Sequence, residues 1–220
     1  MLILHYTGMR SGEEALQALR DKTRKVSAHY LIEEDGRVFS LVEESRRAWH
    51  AGESCWRGER DINARSIGIE LVNPGHEWGY RGFPEAQMHA LTELAREIRA
   101  RHPIPNRNVL GHSDVAPLRK QDPGELFDWP TLAEAGVGLW VWPLPSKEDK
   151  ARADLPALRR ELHRFGYGIS QQGESVDAEL VAVVSAFQRH FLPWRVDGQA
   201  DGETRATLRR ILALAEEEEV

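Results

Sequence analysis

The chain has 220 residues, 41% hydrophobic and 29% charged, with a formal net charge of -6 and a sequence pI near 5.9. That is the balance of a globular protein of one or two domains. It argues against several classes: no basic stripe suits a nucleic acid, no long apolar run suits a membrane-spanning helix, and the single Cys55 forbids an intrachain disulfide. Cys55 lies in the polar stretch Gly52-Glu53-Ser54-Cys55-Trp56-Arg57-Gly58 and reads as a loop thiol.

Leu2-Ile3-Leu4-His5-Tyr6 reads as a buried strand. Ser11-Gly12-Glu13-Glu14 then carries the pattern of a capping box, opening a helix whose apolar face is Ala15, Leu16 and Leu19. Ala28 to Ile32 and Arg37 to Val42 read as a hairpin around Glu34-Asp35-Gly36. Ser66 to Val72 is a further strand, stopped by Asn73-Pro74-Gly75. Pro84 opens an amphipathic helix to about Arg101, with Met88, Leu91, Leu94, Ala95 and Ile98 on one face. Val109-Leu110-Gly111-His112 suggests a last short strand. Strands and helices interleave, so this part is expected to be α/β.

Two prolines and a charged run mark 143–153 as a linker between domains at 1–142 and 154–220. Beyond it only helical periodicity is found. Leu155, Leu158, Leu162 and Phe165 define one helix, Leu180, Val183, Val184 and Phe187 a second, and Leu208, Ile211 and Leu212 a third that starts at Thr204 as its cap. The tail from Glu216 to Glu219 reads as a frayed end. The second domain is therefore expected to be a small all-α three-helix module.

Four polar residues interrupt patterns that strand physics would keep apolar or leave as turns: His5, Glu70, His112 and Asp122. Carboxylates are seldom buried unless paired or bound to a metal. Two imidazoles and one carboxylate satisfy zinc and leave a fourth position for water, whose pKa falls from about 15.7 to around 7. His5, His112 and Asp122 are the candidate ligands for one zinc ion per chain. If the segment before Asp122 is extended, Lys120 shares its side and can stabilise an oxyanion. Glu70 projects opposite Ile69 and Leu71, where a carboxylate can move a proton. Taken one at a time, each of these residues is more simply a satisfied polar residue, a turn residue or a surface charge; their weight lies in the combination.

That combination resembles the amidase-2 family of N-acetylmuramoyl-L-alanine amidases, of AmpD/AmiD type. The matching stretches are Leu4-His5-Tyr6-Thr7, Val26-Ser27-Ala28-His29-Tyr30-Leu31-Ile32, Arg47-Ala48-Trp49-His50-Ala51-Gly52, Ser66-Ile67-Gly68-Ile69-Glu70-Leu71-Val72 and Gly111-His112-Ser113-Asp114-Val115-Ala116-Pro117, running into Arg119-Lys120-Gln121-Asp122-Pro123-Gly124. The resemblance implies a mixed central sheet flanked by helices and zinc at His5, His112 and Asp122. It implies Glu70 as general base or acid, Lys120 as transition-state stabiliser, and cleavage of the amide between N-acetylmuramic acid, or its anhydro form, and L-alanine. His29 and His50 are expected to line the site or support it, or else simply to hold loops. Arg119 is expected to contact a stem-peptide carboxylate.

The C-terminal module resembles peptidoglycan-binding domain 1 through Val184-Ser185-Ala186-Phe187-Gln188-Arg189 and Asp197-Gly198-Gln199-Ala200-Asp201-Gly202-Glu203-Thr204. The second run could pass for a calcium loop, but its twelfth position is Leu208 rather than Glu, so it reads as a turn. The expected partners are peptidoglycan or muropeptide fragments, with no nucleic acid. The N-terminus shows no export signal, which favours the cytoplasm, or the periplasm if an upstream segment is missing. The competing functions are a recognition protein that holds muropeptides uncut and a lysozyme-like glycosidase built on paired carboxylates.

Overall fold

Five strands form one sheet: β1 (Leu2–Tyr6), β2 (Tyr30–Ile32), β3 (Val38–Ser40), β4 (Ile67–Leu71) and β5 (Val109–Gly111). Their spatial order is β3-β2-β4-β1-β5. The neighbours β2, β4, β1 and β5 run parallel, and β3 pairs antiparallel with β2 at one edge. The computed structural model describes residues 1–142 and 154–218; the expected linker at 143–153 lies outside the described residues. The hairpin strands are shorter than the periodicity predicts. The Leu41 and Val42 amides both turn to the His29 carbonyl, at 2.8 and 3.4 Å, and end the regular ladder there.

Besides two single 3-10 turns at Ile62–Ala64 and Asn106–Asn108, the described residues form eight α-helices: α1 (Gly12–Arg20), α2 (Gly75–Trp78), α3 (Glu85–Arg101), α4 (His112–Val115), α5 (Trp129–Glu134), α6 (Leu155–Phe165), α7 (Ala178–Phe191) and α8 (Gly202–Glu217). Ser11 caps α1 by accepting the Glu14 amide, but Glu14 takes the Arg10 amide, so the expected capping box is only half formed. Pro84 stands at the N-cap of α3.

Strand alternation sends side chains to two faces of the sheet. On one face Leu2, Leu4, Ile67, Ile69, Leu71 and Val109 pack against Met88, Leu91, Ala95 and Ile98 of α3 and Leu132 of α5. The other face is covered in two separate places. Leu31 packs with Ala15 and Leu19 of α1. Ile3 and Leu110 pack with Trp56 and with Leu158, Phe187 and Ile211 of the C-terminal helices. His5 and Glu70 lie on this second face, paired in register across β1 and β4, in the gap between the two covers.

Each C-terminal helix is capped by an aspartate. Asp154, Asp177 and Asp201 accept the amides of Ala157, Leu180 and Thr204. The third cap is thus Asp201, not the expected Thr204, whose hydroxyl lies 3.3 Å from the buried amide of Gln188. Gln188 also closes the loop before α8: it donates to Asp197 and to the Gln199 carbonyl, and accepts from the Gly198 amide. The expected fray is not found at Glu216: α8 continues to Glu217, and Glu216 pairs with Arg164 at 2.7 Å.

Candidate metal centre

The gap on the second sheet face is a cleft of about 390 Å³, lined by residues that include His5, His50, Glu70, His112, Lys120 and Asp122. β1 delivers His5 at its fourth position, α4 delivers His112 at its first, and the loop after α4 delivers Asp122. The Ser113 amide donates to the Asp122 carbonyl at 2.9 Å, which ties that loop to α4.

His5 Nδ1 and His112 Nδ1 lie 3.0 Å apart, and each lies 3.0 Å from Asp122 Oδ2. All three residues are buried. A zinc tetrahedron with bonds of about 2.0–2.1 Å has edges of roughly 3.3 Å, so this triangle suits one face of it. The outer nitrogens are already engaged. His112 Nε2 donates to the Ala51 carbonyl at 3.0 Å, which leaves its Nδ1 lone pair facing the triangle. His5 Nε2 lies 2.9 Å from His50 Nδ1, His50 Nε2 lies 3.2 Å from Ser66 Oγ, and that hydroxyl donates to the Ile62 carbonyl at 2.6 Å. If every link donates outward, a single run of protons leads away from the centre and His5 Nδ1 also keeps its lone pair.

The electrostatics agree with a cation-binding role. Burial, then the neighbouring His112, lowers the His5 pKa to about 4. Burial, then His5, takes His50 well below its usual value. Burial alone would raise the Asp122 carboxyl, but His112 and His5 outweigh it and hold it well below the carboxylate range. A His5 ring lowered in this way and an Asp122 carboxyl held down are shifted toward the deprotonated forms that metal ligation needs. Beside them, burial and then the Asp122 charge push the Glu70 carboxyl well above its ordinary value, with Lys120 opposing. Glu70 Oε2 is buried without a hydrogen-bond partner and belongs to the cleft wall.

Residues 1–125 match the family model described as N-acetylmuramoyl-L-alanine amidase. The chain belongs to the N-acetylmuramoyl-L-alanine amidase family. Residues 151–208 match a second model, described as a peptidoglycan binding domain. The chain is 38% identical to the N-acetylmuramoyl-L-alanine amidase AmiD of Escherichia coli, over 96% of this chain and 82% of that protein. It is 42% identical to the 1,6-anhydro-N-acetylmuramyl-L-alanine amidase AmpD of Haemophilus influenzae, over 48% of this chain and 55% of AmpD. Its fold matches AmpDh3 of Pseudomonas aeruginosa, solved in complex with an anhydromuramic pentapeptide, with a TM-score of 0.85 at 34% identity, over 97% of this chain and 91% of that one. AmiD, solved with an anhydro-N-acetylmuramic acid tripeptide, matches with a TM-score of 0.84 over 97% of this chain and 88% of that one.

In this amidase-family chain the other expected site residues separate. Lys120 lines the same cleft as Asp122, but not by strand alternation. Its amide and that of Arg119 both return to the Ala116 carbonyl at 3.0 Å, so the segment is a turn. His50 reaches the cleft as a support for His5. Gly68 makes room for it, because a Cβ there would stand 2.5 Å from the imidazole. His29 does not line the cleft. Its Nδ1 accepts the Gly68 amide and its Nε2 donates to the Arg46 carbonyl, so both ring nitrogens serve the backbone. Arg119 lines the rim, and its guanidinium donates to the carbonyls of Ala51 and Glu53.

A second wall of the cleft carries residues without an obvious signal in the sequence. The Tyr6 hydroxyl lies 2.9 Å from His76 Nδ1, and Tyr80 stacks on His76 at 4.3 Å. Tyr80 donates to the Pro123 carbonyl and accepts the Leu126 amide, bracing the loop that holds Asp122. Tyr6 belongs to the first strand, and for His76 the forerunner in the sequence is the strand stop at Asn73-Pro74-Gly75, which also opens α2.

Proposed function

We propose that this chain hydrolyses the amide bond between N-acetylmuramic acid, or its anhydro form, and the L-alanine of a stem peptide. The observation that supports it most directly is the buried triangle of His5, His112 and Asp122 with Glu70 and Lys120 beside it in one cleft. The proposed ligand set is His5 Nδ1, His112 Nδ1 and Asp122 Oδ2, holding one zinc ion. Bound there, zinc supplies a Lewis acid that polarises a carbonyl and acidifies a water molecule. Glu70 takes a proton from the attacking water and returns it to the leaving amine, a task that suits a buried carboxyl whose pKa is raised above its ordinary value by burial. Lys120 offers a cation to the oxygen that becomes negative as the carbonyl is attacked. His50 holds the His5 ring, and Arg119 stands on the rim where a peptide carboxylate would pass.

We read 1–142 as the catalytic part and 154–220 as a helical module for peptidoglycan, in keeping with the relatives' names and the second family match. The test is mass spectrometry of products from whole sacculi and from anhydro-muropeptides, side by side with and without a chelator. The expected result is release of peptides with a free L-alanine amine, abolished by the chelator and restored by zinc. Tight binding without any peptide release would favour a recognition protein instead, and chelator-insensitive release of reducing ends would favour a glycosidase.

A further inference from the structure

Two of the three metal-facing side chains depend on one very short helix. His112 is the first residue of α4, and Ser113 holds the Asp122 carbonyl. A four-residue helix has little stability of its own. Its N-cap, Gly111, has no side chain to cap with, and a Cβ there would stand 2.7 Å from Pro123. The cap comes from inside the helix instead: Asp114 Oδ2 accepts the Gly111 amide at 2.8 Å.

Asp114 is 1% exposed, and a buried carboxylate needs donors. Two reach it from the C-terminal helices. The Tyr167 hydroxyl, just after α6, donates to Oδ1 at 2.7 Å. His190 of α7 lies with Nδ1 2.8 Å from Oδ2, and an accepting carboxylate puts the proton on that nitrogen. His190 is itself fixed in place, because the Trp129 ring stacks on it at 3.6 Å. The path therefore runs from α6 and α7 through one carboxylate to the backbone that sets His112 and Asp122.

We propose that Tyr167 and His190 are positioning residues of the metal centre: through Asp114 they hold the first turn of α4 in the geometry that brings His112 and Asp122 to one ion. The C-terminal module is then a structural part of the active site as well as a binding module. This inference rests on the zinc reading above, and its test separates the two.

The full chain is stripped of metal and titrated with zinc against a chromogenic chelator, and its cobalt-substituted form is followed by visible absorption. Tyr167→Phe and His190→Leu each remove a donor. His190→Asn restores an N–H near the Nδ1 position. Ile211→Val loosens the module core and leaves both donors intact. Zinc affinity is expected to fall about 10-fold in Tyr167→Phe and His190→Leu, a usual effect for the outer partners of metal ligands. The cobalt spectrum is expected to shift in both, His190→Asn to recover toward wild type, and Ile211→Val to lower the Tm without changing zinc affinity. Wild-type zinc affinity and an unchanged cobalt spectrum in both donor-removing variants would overturn the proposal, and so would an equal loss in Ile211→Val. Should His190→Leu fail to fold, the comparison of Tyr167→Phe with Ile211→Val decides. A wild-type chain that takes up no zinc would overturn the zinc reading itself and this inference with it.

Discussion

Glu70 occupies a strand otherwise made of Ile67, Gly68, Ile69 and Leu71, and every residue of that strand is buried. A carboxylate there has a desolvation cost that Lys120 only opposes in part, since Oε2 has no hydrogen-bond partner among the described residues. Such a residue persists where chemistry needs it. Replacing it with glutamine keeps the shape and removes the proton carrier. Glu70→Gln is expected to retain zinc at one ion per chain while turnover falls roughly 10²–10⁴-fold, the usual contribution of a positioned acid–base group. If Lys120 acts as proposed, on charge that appears only in the transition state, Lys120→Ala is expected to lower kcat roughly 10²–10³-fold with KM changing much less. Zinc content and steady-state kinetics on an anhydro-muropeptide measure both. Normal turnover in Glu70→Gln would remove the carboxylate from the mechanism.

At the scale of elements, β2 and α3 are joined through Glu44, whose side chain is 15% exposed. It accepts from Tyr30 of β2, from Arg101 at the end of α3, and from His102 at 2.7 Å. The hydrogen bond from Arg101 is the largest cause of a pKa lowered to about 2, with Tyr30 and His102 adding to it against the cost of burial. A carboxyl depressed in the folded state contributes stability that is complete above about pH 4.5 and is lost as the pH falls toward 2. Arg101 is 45% exposed, so solvent screening discounts that contribution. Glu44→Gln is therefore expected to unfold at lower temperature than wild type at pH 7, and the difference to shrink steadily below about pH 4.5 and to vanish only as the pH reaches about 2. A constant difference across that range would show that Glu44 acts by shape alone. The long elements were legible in the sequence because their periodicity is complete: β1, β4 and α3 lie within a residue or so of where the pattern puts them. The short ones were not. α4 has a glycine at its N-cap and is capped by its own Asp114, an arrangement with no linear pattern. Lys120 reaches the cleft through a turn that alternation does not describe. Of the imidazoles, His5 and His112 stand out because they end apolar runs. Nothing in the residues around His29 and His50 shows that the first serves backbone groups and the second braces His5.

Over the whole molecule the composition shift at 143–153 points to two units, yet it does not reveal that they share a core. Trp56 is fully buried and belongs to the cluster that joins Ile3 and Leu110 of the sheet to the C-terminal helices. Its ring meets Phe165 edge-on at 5.5 Å and Tyr167 at 5.3 Å, and its Nε1 donates to Asn108 at 3.1 Å. The Arg57 amide adds a 2.7 Å hydrogen bond to the Gly166 carbonyl. A loop residue of the α/β part is thus the centre of the contact between the parts, and the two should lose structure together. Wild type is expected to unfold in one cooperative transition, with near-ultraviolet and far-ultraviolet dichroism coincident. Trp56→Ala removes the ring from both sides of the junction and is expected to cost about 3–5 kcal/mol. In a chain of this length that lowers the Tm on the order of 10 °C, and the loss should split the transition in two as the helices and the sheet uncouple. Two separate transitions already present in wild type, with Trp56→Ala shifting only one of them, would show that the shared cluster does not couple the parts. The C-terminal helices would then be an attachment to the amidase fold rather than a part of it.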